Sequence, residues 1–495
     1  MEATALEEKK LLFNSYIFVF LFLPVCLLVY FSSNHFHKYE LGKLFLTGMS
    51  LWFYAYFNVS YFPIIVCSIL VNYFLYRLLE RTVQKKAVVA TGVLLNLGVL
   101  FYFKYYDFFI GNINSLFGTD FLLHHILLPL GISFFTFQQI GFLVDAYREE
   151  AKGYSFLDYA LFVTFFPQLI AGPIVTHKEM IPQFRDTSKK KFDWDNLGTG
   201  VYGFVLGMTK KVLVADTFGL GVDWGFANPE RLNGLAVLLV MLSYMIQLYF
   251  DFSGYCDMAR GIGKMFNIEI PINFNSPYKA VDLVDFWKRW HITLSRFFTQ
   301  YIYIPLGGSR KGTVRTYFNI FMIYFVSGVW HGAGWTYIVW GAMHASFYVL
   351  NRIFKKRIAK IPKVITWFGT MVFFMFSLIF FRAESVSQAL LLIKRLFTEG
   401  FDLPWVPAEL AACYQLEEVW YPFKVLGVDS LPFSQYYMMF LLIGGAWLVM
   451  LLCKNVNEKM ESRKPGILNA VVCAGLLIWN VISFSGVSSF LYFNF

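Results

Sequence analysis

The segment Ser327-Gly-Val-Trp-His-Gly-Ala-Gly-Trp335 places a titratable side chain, His331, in the middle of a long uncharged stretch. From residue 316 to residue 351 the chain carries no Asp, Glu, Lys or Arg. A membrane-spanning helix needs about 20 apolar residues, so a stretch of this kind is typical of membrane spans. Ionisable side chains inside a membrane usually serve chemistry or transport. The sequence therefore predicts an integral membrane protein with a functional imidazole.

The composition of the whole chain indicates the same class. Of 495 residues, 57% are hydrophobic, 20% are aromatic and only 15% are charged, which excludes an ordinary soluble protein. Further uncharged runs cover residues 11–37, 44–76, 121–144, 232–250, 364–381, 430–453 and 465–495. We expect one all-α polytopic membrane domain over residues 1–495, with a core at 121–351 and roughly ten to twelve membrane segments. The first run lacks a small-residue cleavage site, which indicates a retained span.

The net charge of +10 is distributed unevenly, and its distribution predicts the orientation of the chain. Residues 352–363 include six basic and no acidic side chains, and residues 454–464 include four basic against two acidic. Short loops rich in Lys and Arg stay in the cytoplasm. The segment 382–435, with four basic and seven acidic residues, is then an extracytoplasmic insertion. The same rule places the turn at 58–63 and the amino terminus outside, and it explains the basic surplus without a nucleic acid partner.

Polar residues, glycines and prolines interrupt apolar stretches in the middle third. Residues 165–174 contain Pro167, Gln168, Gly172 and Pro173 within one apolar segment. Backbone that is broken at membrane depth survives only inside protein or beside water. We therefore predict a re-entrant segment here.

The segment 286–297 has the spacing of an amphipathic helix, because apolar residues recur from Val284 to Phe298 at intervals of three and four. This spacing places His291 on the apolar face, beside Trp287. Between residues 288 and 315 there are six basic and no acidic side chains, so we expect an anionic cytoplasmic donor to be drawn there. The basic residues expected to bind it are Lys288, Arg289, Arg296 and Arg310.

The depth of His331 follows from helix geometry. A helix over 317–330 would be about 21 Å long, against a hydrocarbon layer of about 30 Å, so His331 lies inside the layer. Gly328, Gly332 and Gly334 permit a sharp break or a close helix approach. The neighbouring Trp330 can form one wall of a pocket.

Several motifs together resemble the membrane-bound O-acyltransferase (MBOAT) family. They are Asp251-Phe-Ser-Gly-Tyr, Asn273-Phe-Asn-Ser-Pro-Tyr, Phe286-Trp-Lys-Arg-Trp-His291, Tyr303-Ile-Pro-Leu-Gly-Gly308 and Trp330-His331-Gly. Within the family the chain is similar to the bacterial alginate and polysaccharide O-acetyltransferase branch. That narrower resemblance depends on Gly131-Ile-Ser-Phe, Leu169-Ile-Ala-Gly-Pro173 and the aromatic ending at 490–495.

The resemblance implies a fold of many helices around a central tunnel, in a bacterial plasma membrane, with a donor entering from the cytoplasm. His331 takes the place of the family's catalytic histidine and His291 that of its second histidine. The implied donor is acetyl-CoA or an acyl-carrier thioester. The implied acceptor is an extracytoplasmic polysaccharide, reached directly or through a partner such as an SGNH-hydrolase-like acetyltransferase.

The chemistry of these residue types favours the same roles. Acyl transfer from a thioester needs a base that removes the proton of the attacking hydroxyl, and imidazole, with an unperturbed pKa of about 6.5, is suited to that step. We expect His331 to be this base and His291 to bind the thioester oxygen or steer the donor. Asp251 and Asn273 are expected to orient an imidazole or to line the tunnel. The other tunnel-lining candidates are Trp330, Trp287 and Ser295.

Other interpretations remain open at this stage. A transporter or flippase would also place Asp251, His291 and His331 inside the membrane, and D-alanyl transfer to teichoic acid is a related activity. The six cysteines and the histidines lack ligand spacing, so we expect no metal and no bound cofactor. By default, His344 is interpreted as helix packing and His177 as a loop residue.

Overall fold

The computed structural model describes residues 12–463, 466–486 and 490–491, and within these ranges every regular element is a helix. The all-α fold class is thereby confirmed. Among the described residues, six helices are long and apolar enough to cross a membrane: Phe18–His35, Val59–Arg81, Lys85–Phe117, Gly234–Met265, Lys363–Arg382 and Ser434–Leu452. The chain is therefore a multi-pass membrane protein. The amino-terminal residues 1–11, whose side of the membrane we predicted, lie outside the described ranges.

In chain order, the first half contains α1 Phe18–His35, α2 Tyr39–Phe57, α3 Val59–Arg81, α4 Lys85–Phe117, α5 Ile132–Tyr147, α6 Phe156–Thr164, α7 Phe166–Leu169, α8 His177–Arg185, α9 Trp194–Thr209, α10 Asp216–Ala227 and α11 Gly234–Met265. The second half contains α12 Leu283–Arg289, α13 Ile292–Phe298, α14 Thr313–His331, α15 Trp335–Ile353, α16 Lys355–Ile358, α17 Lys363–Arg382, α18 Val386–Thr398, α19 Ala408–Ala412, α20 Glu417–Val425, α21 Ser434–Leu452, α22 Val456–Glu461 and α23 Ile467–Ile482. The break between α2 and α3 falls within the turn predicted at 58–63.

Six apolar spans among the described residues are fewer than the roughly ten to twelve segments expected. Three further helices, α2, α14 and α15, each have 19 residues and so are about 28 Å long, but they contain more polar residues. The rest of the middle third is divided into shorter helices. The mostly buried helices α6 and α7 are examples, since neither is long enough to cross a membrane.

The helix α11 is the centre of the fold, and 83% of its most apolar window is buried. It packs tightly against α9 through glycines. A Cβ atom added to Gly207 would lie 2.7 Å from the carbonyl oxygen of Gly254, and one added to Gly254 would lie 2.8 Å from that of Gly207. Small residues allow backbones to approach in this way where lipid gives no hydrophobic driving force between helices.

Glycines also close the hairpin of α14 and α15, as the sequence predicted. A Cβ atom on Gly328 would lie 2.7 Å from the Cα atom of Gly341, and one on Gly332 would clash with the ring of Tyr337. The backbone at Gly332 and Gly334 is extended. Thus α14 ends at His331 because the chain straightens there, and the close helix approach keeps that end packed against α15.

The interruption predicted at 165–174 is present. The helices α6 and α7 are separated by Phe165, and all residues from 165 to 175 are buried. The broken backbone is therefore enclosed in protein, which is the condition that its polar groups require.

The prediction of a continuous amphipathic helix over 286–297 is wrong. The segment consists of α12 and α13, separated at Trp290 and His291, and His291 has a φ of 46°, in the left-handed region. The break is stabilised from a distant segment, because the amide of Ile292 donates to the carbonyl oxygen of Asn273 at 3.0 Å and the amide of Asn275 donates to that of Arg289 at 2.9 Å. Helical spacing alone could not reveal these contacts.

We predict that Gly328→Val lowers the stability of the purified protein by about 1–3 kcal/mol, because the added side chain overpacks the contact with Gly341. Thermal unfolding in detergent measures the effect. Gly369→Val in α17 is the control, since no atom lies within 4 Å of a Cβ added there. Equal unfolding temperatures for the two variants would show that the α14–α15 contact is not tight.

Candidate active site

His331 is the last residue of α14, and its side chain is enclosed by aromatic rings. It is 5% exposed. The centroids of the Trp340 and Phe381 rings each lie 5.2 Å from that of the imidazole, and Trp330 lies at 4.9 Å. The imidazole is therefore held in a nearly dry environment at the end of a helix.

Lys104 and Tyr105 of α4 bind the end of the helix that carries His331. The Lys104 ammonium donates to the carbonyl oxygens of Trp330 at 2.6 Å and His331 at 3.1 Å, and the Tyr105 hydroxyl donates to that of Val329 at 2.9 Å. The last carbonyls of a helix have no partner within the helix, so these donors satisfy groups that burial would otherwise leave unpaired. Sequence reasoning missed Lys104, although a lysine within an apolar span is a recognised signal of function.

His291 is fully buried and is held by Asn273. The Oδ1 atom of Asn273 lies 3.2 Å from Nδ1 of His291 and accepts from the amide of Thr293 at 3.1 Å and its hydroxyl at 2.9 Å. Because an amide oxygen only accepts, Nδ1 of His291 carries the proton and Nε2 is the basic nitrogen. Asn273 thus orients this imidazole. The ring of Trp330 lies 6.2 Å from that of His291 and 4.9 Å from that of His331, so it contacts both histidines.

A large cavity of about 700 Å³ lies beside this pair. Four residues that the sequence singled out line it: Trp287, Lys288, Ser295 and Arg296. It also includes Arg352, at the end of α15, and Ser327, one helical turn before His331. The cavity therefore joins basic side chains to the neighbourhood of the catalytic candidate.

A second, much smaller cavity touches His331 directly. Its volume is about 20 Å³, and its lining includes Lys104, Ser133, Trp330 and His331. A water molecule requires about 10–15 Å³, so this space admits little more than one. His331 thus lines the narrow cavity, and Ser327, one helical turn earlier, lines the wide one.

Five predicted residues line neither cavity: His291 and Asn273, described above, and Asp251, Arg289 and Arg310. Asp251 forms an ion pair with Lys211 at 2.8 Å and accepts a hydrogen bond from the amide of Leu491 at 3.1 Å. It therefore binds the carboxyl-terminal segment. Arg289 pairs with Asp285 at 2.9 Å, and Arg310 is exposed in the turn before α14. Arg296 does line the large cavity, but its Nη2 atom donates a hydrogen bond to the Glu179 carboxylate at 2.9 Å. This carboxylate compensates part of the positive charge of Arg296.

Two other histidines are also buried, and only one of them has the role that the sequence predicted. His344 is a packing residue, as predicted: its Nε2 atom lies 3.0 Å from the Ser377 hydroxyl. The loop prediction for His177 is wrong. It is the first residue of α8, 1% exposed, and its Nε2 atom lies 3.2 Å from Asp145. A capping box between Thr176 and Glu179 starts this helix. Among the described residues, no group of three His, Cys, Asp or Glu side chains could hold a metal ion.

Comparison with known proteins identifies the class. The model of the MBOAT, membrane-bound O-acyltransferase family, matches residues 125–393. The peptidoglycan O-acetyltransferase of Helicobacter pylori is 44% identical over 417 residues, which cover 78% of this chain and 79% of that protein. The "Probable alginate O-acetylase AlgI" of Pseudomonas aeruginosa is 37% identical over 81% of this chain and 77% of that protein.

A more distant relative is the teichoic acid D-alanyltransferase of Bacillus subtilis, which is 28% identical over 47% of this chain and 61% of that protein. The fold and these matches define a polytopic acyl-transfer enzyme. The chain belongs to the membrane-bound O-acyltransferase family and is an O-acyltransferase. Family membership displaces the transporter hypothesis.

We predict that Lys104→Met destabilises the protein by about 1–3 kcal/mol, because two buried carbonyl oxygens lose their donor. Thermal unfolding is the measurement, and acyl transfer should fall with it as the end of α14 loosens. The control is Lys86→Met, which removes an exposed lysine at the start of the same helix. An unfolding temperature equal to that of the control would contradict the capping role.

Proposed function

We propose that this protein transfers an acetyl group from a cytoplasmic thioester, most simply acetyl-CoA, to the hydroxyl of an extracytoplasmic polysaccharide in the bacterial cell envelope. His331 is the general base. The observation that carries the proposal is the burial of this imidazole at the end of α14, where it lines a narrow cavity of about 20 Å³ and lies one helical turn from Ser327, which lines a wide cavity with basic side chains. A base in this position is close both to the cavity that we assign to the donor and to the one that we assign to the acceptor.

The large cavity suits the donor. Its volume falls within the range of about 300–1,000 Å³ that is common for small-molecule sites. Lys288 and Arg352 supply positive charge for the phosphates of coenzyme A, and guanidinium groups pair well with phosphate. Positive-inside bias assigns Arg352 and the basic segment after it to the cytoplasm, where acetyl-CoA is found. The thioester end would extend toward Ser327, one turn from His331.

The proposed reaction needs one proton transfer at His331. Neutral imidazole takes the proton of the attacking hydroxyl while that oxygen bonds to the thioester carbonyl carbon. The carbon–sulfur bond then breaks, and the thiolate leaving group takes up a proton. His291, fixed by Asn273, contacts the ring of Trp330, which also contacts His331. We assign His291 the role of positioning the donor or its carbonyl oxygen. Burial among aromatic rings limits competing hydrolysis, because it excludes bulk water.

The relatives support both the acetyl group and a polysaccharide acceptor. The identity to a peptidoglycan O-acetyltransferase, 44%, exceeds that to an alginate O-acetylase, 37%, which favours peptidoglycan. D-alanyl transfer has weaker support, since that relative aligns with 47% of the chain at 28% identity. The narrow cavity cannot admit a polymer as it stands, so we include a partner in the proposal: an SGNH-hydrolase-like acetyltransferase that carries the acetyl group onward.

We predict that His331→Ala reduces acetyl transfer by about 10²- to 10⁴-fold, the usual contribution of a general base. The measurement is release of labelled acetyl from acetyl-CoA by purified protein, with an acceptor present. His35→Ala, which changes an exposed histidine, should keep full activity. Full transfer by a folded His331→Ala protein would refute the assignment.

We further predict that the double variant Lys288→Gln and Arg352→Gln raises the KM for acetyl-CoA about tenfold or more, with kcat little changed. Each lost charge-assisted contact is worth about 1.5–3 kcal/mol, and about 1.4 kcal/mol is a tenfold change in binding. Arg310→Gln is the matched control, because Arg310 is basic but does not line the cavity. Equal KM values for the variant and the control would show that the donor binds elsewhere.

A further inference from the structure

A third cavity lies away from the histidines, between α21 on one side and α9, α10 and α11 on the other. Its volume is about 350 Å³. We call it the α21 groove. Its lining includes three lysines and no acidic residue. Neither His331 nor His291 contributes to it, so the proposed acyl transfer does not account for it.

The groove is apolar along its length and basic at one end. Its apolar wall includes Leu206, Leu213, Phe250, Leu442, Val449 and Met450. Lys454 and Lys459 line the end that follows α21, within the segment 454–464 that positive-inside bias assigns to the cytoplasm. The lining of the groove therefore changes along α21 from apolar side chains to positively charged ones.

The three lysines are not equivalent. Lys210 is already paired with Asp257 at 2.6 Å and donates to the Ser253 hydroxyl at 3.0 Å. Lys454 and Lys459 form no ion pair with any residue in the described part of the chain. Nearby Glu458 accepts the amide of Asn455 in a capping box at the start of α22. Two cations at the basic end therefore remain available to an anion.

The apolar part of the groove is accessible from the membrane. Only 28% of the most apolar window of α21 is buried, so this helix lies at the periphery of the fold. A Cβ atom added to Gly445, which lines the groove, would have no atom within 4 Å. The space next to this glycine, on the side of α21 that lines the groove, is therefore open.

We propose that the α21 groove binds one anionic phospholipid of the cytoplasmic leaflet, with an acyl chain along α21 and the phosphate at Lys454 and Lys459. Charge complementarity selects this occupant, because basic pockets between membrane helices on the cytoplasmic side bind acidic headgroups. The apolar wall adds the hydrophobic contribution of an acyl chain. Such a lipid would bridge a peripheral helix to the core, and the proposal is independent of the acyl-transfer chemistry.

The glycines of α21 provide the first test. Phosphatidylglycerol and phosphatidylcholine with the same chains are added to the purified full-length protein, and retained lipid is counted by native mass spectrometry. Gly445→Phe should fill the groove and reduce retained phosphatidylglycerol at least fivefold. The control is Gly444→Phe, because Gly444 is also free of neighbours within 4 Å but does not line the groove. Equal retention by the two variants would overturn the proposal.

The lysines provide a second test that does not depend on the packing of α21. The double variant Lys454→Gln and Lys459→Gln should lower phosphatidylglycerol retention to the level of phosphatidylcholine. Lys355→Gln with Lys360→Gln removes the same charge from another exposed basic segment and should have no effect. The proposal fails if wild-type protein retains both lipids equally, if the two double variants behave alike, or if coenzyme A displaces the lipid.

Discussion

The hydrogen bonds from Lys104 and Tyr105 to the carbonyl end of α14 hold the catalytic candidate in place. A helix that ends inside the protein presents carbonyl groups to an environment without bulk water, where each unpaired group is costly. A lysine and a tyrosine from α4 satisfy three of these carbonyls. Because the bonds reach the main chain of His331 itself, they position the imidazole as well as stabilise the helix end. The Lys104 side chain also lines the narrow cavity, so it lies beside the proposed base.

The same rule of paired polar groups explains how the remaining helices are joined. Lys43 of α2 and Arg185 of α8 both bind Asp158 of α6, at 2.9 Å and 2.7 Å. Lys211 binds Asp251 of α11, which also receives the amide of Leu491. Breaking one partner of such a buried pair is strongly destabilising, because the other charge remains without compensation. Charged side chains in this chain therefore connect helices that are far apart in the sequence.

The aromatic side chains have a complementary role around the site. Trp330 contacts both His291 and His331, and Trp340 contacts both His331 and His344. These rings shield the three buried imidazoles from bulk water. The cavity of about 700 Å³ that we assign to the donor is much wider than the cavity of about 20 Å³ at His331. An acetyl group is small enough for such a constriction, whereas a polymer chain is not.

The sequence by itself determined the membrane class, the helical fold and four of the residues that line the large cavity, and it singled out His331 as the candidate base. These features depend on local composition, on charge balance and on short motifs, all of which can be seen along the chain. Only the tertiary structure decided the break at His291, the position of Asp251 beside the carboxyl-terminal segment, the burial of His177 and the contact of Lys104 with α14. Each of these depends on a partner that is distant in the sequence: Lys104 and Trp330 are 226 residues apart. Periodicity describes which face of one helix is apolar, but it carries no information about which distant donor meets a given acceptor once the helices have packed.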